Sequence, residues 1–122
     1  MEPVTYTKAE KLKQKSEISL LFDKGRWKSC DRIRLILYRT EQNSKLGVSV
    51  SKRYFKKAVD RNRIKRLLRE VYRLNKEEFK TAFGPHYIGM LFWNSNKMPN
   101  DYNEVKQEYL NLCNSVRKKS KP

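Results

Sequence analysis

The chain of 122 residues predicts an α+β fold, a two-layer sandwich with helices mainly on one face of a mixed sheet. Three observations carry that expectation. Residues 58–75 place apolar side chains at Ile64, Leu67, Leu68, Val71 and Leu74, three and four apart, which is one stripe of an amphipathic helix. Residues 32–38 and 46–51 instead alternate with a period of two, and 86–93 is a mostly apolar run, so all three read as strands. Their order along the chain is helix, strands, long helix, strand, helix.

Taken in sequence, Thr7 followed by Lys8, Ala9 and Glu10 predicts a short capped turn. Residues 16–24 predict a short helix with Ser16 as N-cap, Gly25 as stop, and Ile18, Leu21 and Phe22 on one face. In the strand 32–38, Ile33, Leu35 and Leu37 point one way, and Arg32, Arg34, Ile36 and Tyr38 the other. A polar turn at 41–45 leads to the strand 46–51. There Leu46, Val48 and Val50 face inward while the small Gly47, Ser49 and Ser51 face outward. That small-residue face forms a shallow trough, walled by Arg34, Ile36 and Tyr38 of the neighbouring strand and suited to an extended nucleic-acid strand. The long helix continues to about residue 79. Gly84-Pro85 breaks the chain before the strand 86–93. A loop at 94–99 precedes a final helix, capped by Asn100 or Asp101 and running to about residue 117. Its stripe is Tyr102, Val105, Tyr109, Leu112 and Val116. Residues 1–117 form one domain, and 118–122 read as a basic, disordered tail.

Charge points to the partner. The formal net charge is +16, with 29 basic and 13 acidic residues. From 52 to 73 there are ten basic residues (Lys52, Arg53, Lys56, Lys57, Arg61, Arg63, Lys65, Arg66, Arg69, Arg73) against two acids, so this segment holds +8, half of the total. Arg61, Lys65, Arg69 and Arg73 repeat at four-residue spacing on one helical face. Like charges so spaced repel by a few tenths of a kcal/mol per pair. A polyanion lying along the helix turns that repulsion into attraction, and such clustering is the electrostatic footprint of a nucleic-acid binder.

Other classes are excluded by what the composition lacks. No run of about 18 apolar residues exists to span a membrane, and residues 1–6 show no apolar signal region, so a cytoplasmic location is expected. Cys30 and Cys113 stand far apart and read as reduced structural thiols. The single histidine, His86, has no metal-ligand companion at zinc spacing. An autonomous protein nuclease wants paired histidines or clustered carboxylates, whereas Asp23, Asp31, Asp60 and Asp101 are scattered.

The segments Val50-Ser51-Lys52-Arg53 and Ala58-Val59-Asp60-Arg61-Asn62-Arg63-Ile64-Lys65-Arg66-Leu67-Leu68-Arg69-Glu70 resemble the signature of the protein subunit of bacterial ribonuclease P. The order of elements matches over nearly the whole chain. The resemblance implies the order α-β-β-β-α-β-α, a ribosomal protein S5 domain 2-like fold. It also implies a left-handed β-α-β crossover around the basic helix, where general rules favour a right-handed one. It implies an RNA-binding subunit that assembles with one large catalytic RNA and binds the 5′ leader of precursor tRNA. The holoenzyme is an endoribonuclease that matures the tRNA 5′ end. The chemistry and the magnesium ions lie mainly with the RNA, with no metal held tightly by the protein and no obligate protein partner.

Carried over by position, the RNA-binding set is Lys52, Arg53, Lys56, Lys57, Arg61, Asn62, Arg63, Lys65, Arg66, Arg69 and Arg73, and the leader cleft is Ile18, Phe22, Arg34, Ile36 and Ser49. Two departures stand out. Ile18 replaces an aromatic residue, and Phe92-Trp93-Asn94 stands where relatives often carry a basic one, with Trp93 a stacking candidate if exposed. The rival reading is a ribosomal or other structural RNA-binding protein.

Overall fold

A four-stranded sheet separates two hydrophobic clusters of unequal size. The structure is a computed structural model that describes residues 15–41 and 44–119; the turn expected at Thr7 lies outside the described residues. The elements are α1 (Lys15–Lys24), β1 (Arg26–Cys30), β2 (Ile33–Arg39), β3 (Lys45–Val50), α2 (Ala58–Leu74), α3 (Lys76–Phe83), β4 (Tyr87–Trp93) and α4 (Tyr102–Lys119). The sheet order is β1-β2-β4-β3, with β3 and β4 parallel and the other pairs antiparallel. The α+β class and the three-strands-before-helix order implied by the resemblance are therefore present.

The larger cluster lies between the sheet and α2, α3 and α4. Ile33, Leu35, Leu46, Val50, Leu91 and Trp93 from the strands meet Ile64, Leu68, Val71, Phe79, Val105, Tyr109 and Leu112 from the helices. The smaller one lies under α1, where Leu21 packs on Ile36 and Ile88, flanked by Ile18, Tyr38, Met90 and Phe92. Complete burial of Leu21 contributes about 1.5–3 kcal/mol to holding α1 on the sheet. The Glu17–Lys45 ion pair, at 3.0 Å, adds a polar tether.

Gly25 stops α1 as expected, its N–H donating to the Leu21 carbonyl at 2.7 Å. The reason is close approach. A Cβ there would stand 2.3 Å from the Leu21 carbonyl oxygen and 2.8 Å from Ile36 Cγ1. Ser16, expected as the N-cap, lies inside α1 one residue after its first.

The segment after Gly25 corrects the expected pattern. β1 carries no apolar alternation, and its residues are exposed except Cys30, which is half-buried. An edge strand with little buried side-chain surface leaves no hydrophobic period to read. Asp31 and Arg32 form the two-residue turn of the β1–β2 hairpin, with Asp31 at φ 51°, a conformation Asp tolerates better than most residues. Arg32 is thus a turn residue rather than part of the Arg34 face. It sits 5.1 Å over the Trp93 ring and pairs with Glu104 and Glu108 of α4. Trp93, considered for stacking, is buried and donates its indole N–H to the Lys97 carbonyl at 2.9 Å.

The long helix also ends earlier than expected, at Leu74 rather than near residue 79. Asn75 breaks it. Its side-chain amide donates to the Val71 carbonyl at 2.8 Å and to the Tyr102 hydroxyl at 3.0 Å, while the Tyr109 hydroxyl donates to the Asn75 carbonyl at 2.8 Å. A new helix, α3, starts at once. Leu74 falls off the buried stripe and is exposed, and Tyr72 takes its place, its hydroxyl 2.6 Å from that of Tyr87. Gly84, at φ 95°, then ends α3. Asp101 caps α4, its carboxylate accepting from the Glu104 N–H at 3.0 Å, while Glu104 accepts from the Asn100 N–H at 2.8 Å. α4 continues through Lys118 and Lys119, two residues of the expected tail.

Candidate nucleic-acid interface

α2 buries Ile64, Leu68, Val71 and Tyr72, so the rest of its cylinder is left to solvent. Asn62, Arg63, Arg66 and Arg69 are exposed, and Lys65 is half-buried. Arg32 forms ion pairs with Glu104 and Glu108, Lys45 with Glu17, and Arg73 with Glu70. Arg66 and Arg69 are therefore outside any of them. Arg63 donates to the Asn100 carbonyl at 3.2 Å.

Two members of the predicted row behave differently. Arg61 donates to the carbonyls of Phe55 and Lys56 at 2.8 and 2.7 Å, so it ties down the loop before α2. Arg73 is engaged by Glu70 one turn back, and this carboxylate holds the guanidinium pKa above its ordinary value. The chain contains this charge row, and the fold leaves its middle free while occupying its two ends.

The loop between β3 and α2 extends the basic surface. A tight turn, in which the Ser51 carbonyl accepts from the N–H groups of Tyr54 and Phe55, exposes Lys52 and Arg53. Lys56 and Lys57 are exposed just before α2. All eleven residues of the expected RNA-binding set, ten of them basic, thus lie on one continuous stretch of loop and helix.

On the α1 face of the sheet the expected groove takes a different form. β4 lies between β2 and β3, so Arg34 and Ile36 do not wall the small residues of β3 directly; Phe92 and Met90 do, opposite Ser49 and Gly47. Gly47 is itself buried. Ile36, expected to line the cleft, is fully buried beneath Leu21 because α1 lies across it. Ile18 is half-buried in the same contact.

Beyond the end of α1 the face is open. Phe22 and Trp27 are 47% and 44% exposed, and with the half-buried Phe92 they form a triangle of rings. The centroids are 6.0 Å apart for Phe22–Trp27, 5.5 Å for Trp27–Phe92 and 6.2 Å for Phe22–Phe92. Arg34 lies 4.3 Å over the Trp27 ring, and half-buried Ser49 stands beside Phe92 at the β3 edge. Trp27 and Phe92 were missing from the predicted cleft. Trp27 is on the strand that had no apolar pattern. Phe92 was noted only as a departure, although its place in the strand already put it on the face opposite Trp93.

An aromatic and guanidinium platform on one face of the sheet, together with an exposed basic loop and a helix with free arginines, has the character of a small α+β nucleic-acid-binding protein. Bases stack on such a platform while the cations track phosphates. A family model described as Ribonuclease P matches residues 6–117, and the chain belongs to that family. It is 33% identical over 118 residues to the ribonuclease P protein component of Petrotoga mobilis, covering 95% of this chain and 98% of that one. To the ribonuclease P protein component of Finegoldia magna it is 30% identical over 112 residues, covering 92% and 95%.

Solved structures agree on the fold. The ribonuclease P protein of Staphylococcus aureus superposes with a TM-score of 0.74 at 19% identity, covering 90% of this chain and 97% of that one. That of Thermotoga maritima gives 0.71 at 22% identity, covering 87% and 96%. The role of ribonuclease P protein subunit follows, and the ribosomal alternative is not favoured.

Proposed function

We propose that this subunit binds the catalytic RNA of ribonuclease P through the loop and α2, and holds the 5′ leader of precursor tRNA on the Phe22–Trp27–Phe92 platform. One observation carries the reading: Arg63, Arg66 and Arg69 of α2 and the cations of the β3–α2 loop are exposed, and on the α1 face of the same sheet the rings of Phe22 and Trp27 stay open to solvent. Lys and Arg release counterions condensed on RNA, so affinity falls steeply with salt. Stacking adds about 1–3 kcal/mol per base. One stacked leader base therefore favours precursor over mature product by roughly 5- to 150-fold. That difference is the protein's contribution to catalysis, since a product without a leader cannot collect it.

Bond cleavage falls to the RNA in this reading. The chain has one histidine. The magnesium ions are taken to sit with the RNA in the same reading. No described helix is long and apolar enough to cross a membrane; the proposed setting is the cytoplasm, with one protein per RNA.

The test is reconstitution. Purified protein should leave precursor tRNA intact, and should restore accurate 5′ processing at physiological magnesium when added to a bacterial ribonuclease P RNA. Processing by the protein alone would overturn the division of labour. Failure to rescue any such RNA would overturn the subunit reading.

A further inference from the structure

A cavity of about 620 Å³ opens on the core side of the sheet, at the β1 edge and away from the groove. Lys24, Arg26, Lys28 and Arg39 stand around its mouth, and its lining includes no Asp or Glu. All four cations are exposed. None makes a side-chain ion pair among the described residues. Leu37, Ala82, Phe83 and Val116 supply an apolar floor.

Two ordinary explanations fall short. The C-terminal ends of α3 and α4 lie on this side and favour cations, but a helix terminus carries about half a unit of negative charge. Two of them offset about one of the four positive charges and leave about three. Charged side chains on an edge strand also discourage strand pairing. That accounts for Arg26 and Lys28 on β1, and the C-terminus of α1 favours Lys24 in its last turn, but neither effect accounts for Arg39 on β2 or for the gathering of all four around one mouth.

We infer that this cavity is a second RNA site, in which the four cations hold phosphates and the apolar floor receives an unpaired base. The inference rests on the ribonuclease P reading for the choice of RNA as the anion. A pocket of this size with a mixed lining, apolar at its floor and cationic at its mouth, can hold a small ligand, and a nucleotide combines the flat apolar ring and the negative charge it fits. β1 and β3 are opposite edges of the sheet, three strand spacings or about 14 Å apart. The losses caused by neutralising the two places should therefore add.

Two measurements on the full chain test this. In the first, salt-titrated binding to a bacterial ribonuclease P RNA is compared for the unaltered protein, a variant with Lys24→Gln, Arg26→Gln, Lys28→Gln and Arg39→Gln, and a variant with Arg66→Gln and Arg69→Gln. At about 0.7–0.9 per phosphate lost, the cavity variant should flatten the salt slope by about 3 to 4 and weaken binding at least tenfold at low salt. Its loss should add to that of the α2 variant. An unchanged cavity variant beside a weakened α2 variant would sink the second site alone; two unchanged variants would sink the ribonuclease P reading with it.

The second measurement needs no substitution. Methyl NMR signals of Leu37, Ala82 and Val116 should shift with a short oligouridylate and stay in place with inorganic polyphosphate. Equal shifts with both, or none with the oligonucleotide, would overturn the base pocket.

Discussion

Arg66, Arg69 and Arg73 look equivalent along the chain, yet the fold separates them, and that difference can be measured. Consider neutralising Arg63, Arg66 and Arg69 together by Gln, against Arg73→Gln alone. The first three are exposed and outside the ion pairs of the described residues. Arg73 is held by Glu70 and is half-buried. If each free arginine neutralises one phosphate, the triple variant loses three contacts. The slope of log affinity against log salt then flattens by about 2.1 to 2.7, from 0.7–0.9 per phosphate. Over a fourfold rise in salt, the gap between unaltered and triple-variant protein should close by roughly 20- to 40-fold. Arg73→Gln should leave the slope nearly unchanged and lower folding stability only slightly, as one-turn ion pairs near the surface do. The assay is filter binding or fluorescence anisotropy with a bacterial ribonuclease P RNA between 50 and 200 mM salt, with urea titrations for stability. An unchanged slope in the triple variant, or an equal change in Arg73→Gln, would refute the argument that pairing decides which cations reach RNA.

Three further outcomes follow from the packing. Trp27→Ala should weaken precursor tRNA binding by about 5-fold or more while leaving mature tRNA unaffected, because it removes the centre of the ring triangle and the surface under Arg34; equal losses for both tRNAs in a binding titration would place Trp27 outside the leader path. Gly25→Ala drives a Cβ to 2.3 Å from the Leu21 carbonyl oxygen, so α1 must shift and stability should fall by about 1–3 kcal/mol; an unmoved urea midpoint would contradict this. The Asn100 N–H and Arg32 hold the Glu104 carboxyl below the ordinary glutamate pKa, so the folded state takes up that proton less readily than the unfolded chain. The resulting stability is present above the ordinary value and is lost as pH falls through the depressed one. Unfolding midpoints between pH 7 and 3 should therefore drop at the acid end, and Glu104→Gln should lessen that drop; a parallel curve for the variant would count against it.

Much of this was readable along the chain because it is local. The 3.6-residue stripe of α2, the alternation in β2 and β3, the stop at Gly25 and the cap at Asp101 each depend on residues within a turn or two. The net charge and its concentration in residues 52–73 need no structure at all, nor does the Arg61-Asn62-Arg63 motif that identifies the family. What failed had non-local causes. The helix expected to reach residue 79 breaks at Asn75 because Tyr102 and Tyr109, from α4, bond to it. β1 is a strand because β2 pairs with it, not because its own residues are apolar. The groove wall was misplaced because β4, more than thirty residues downstream, inserts between β2 and β3.

The sequence alone determined that this protein is basic, α+β and of the ribonuclease P family, since composition, periodicity and motif are properties of neighbouring residues. Only the tertiary structure decided that Ile36 is covered and Trp27 open, and that Arg66 and Arg69 are free while Arg61 and Arg73 are engaged. Burial and pairing depend on which distant segments come to lie against a side chain, and the spacing of residues along a chain does not specify that.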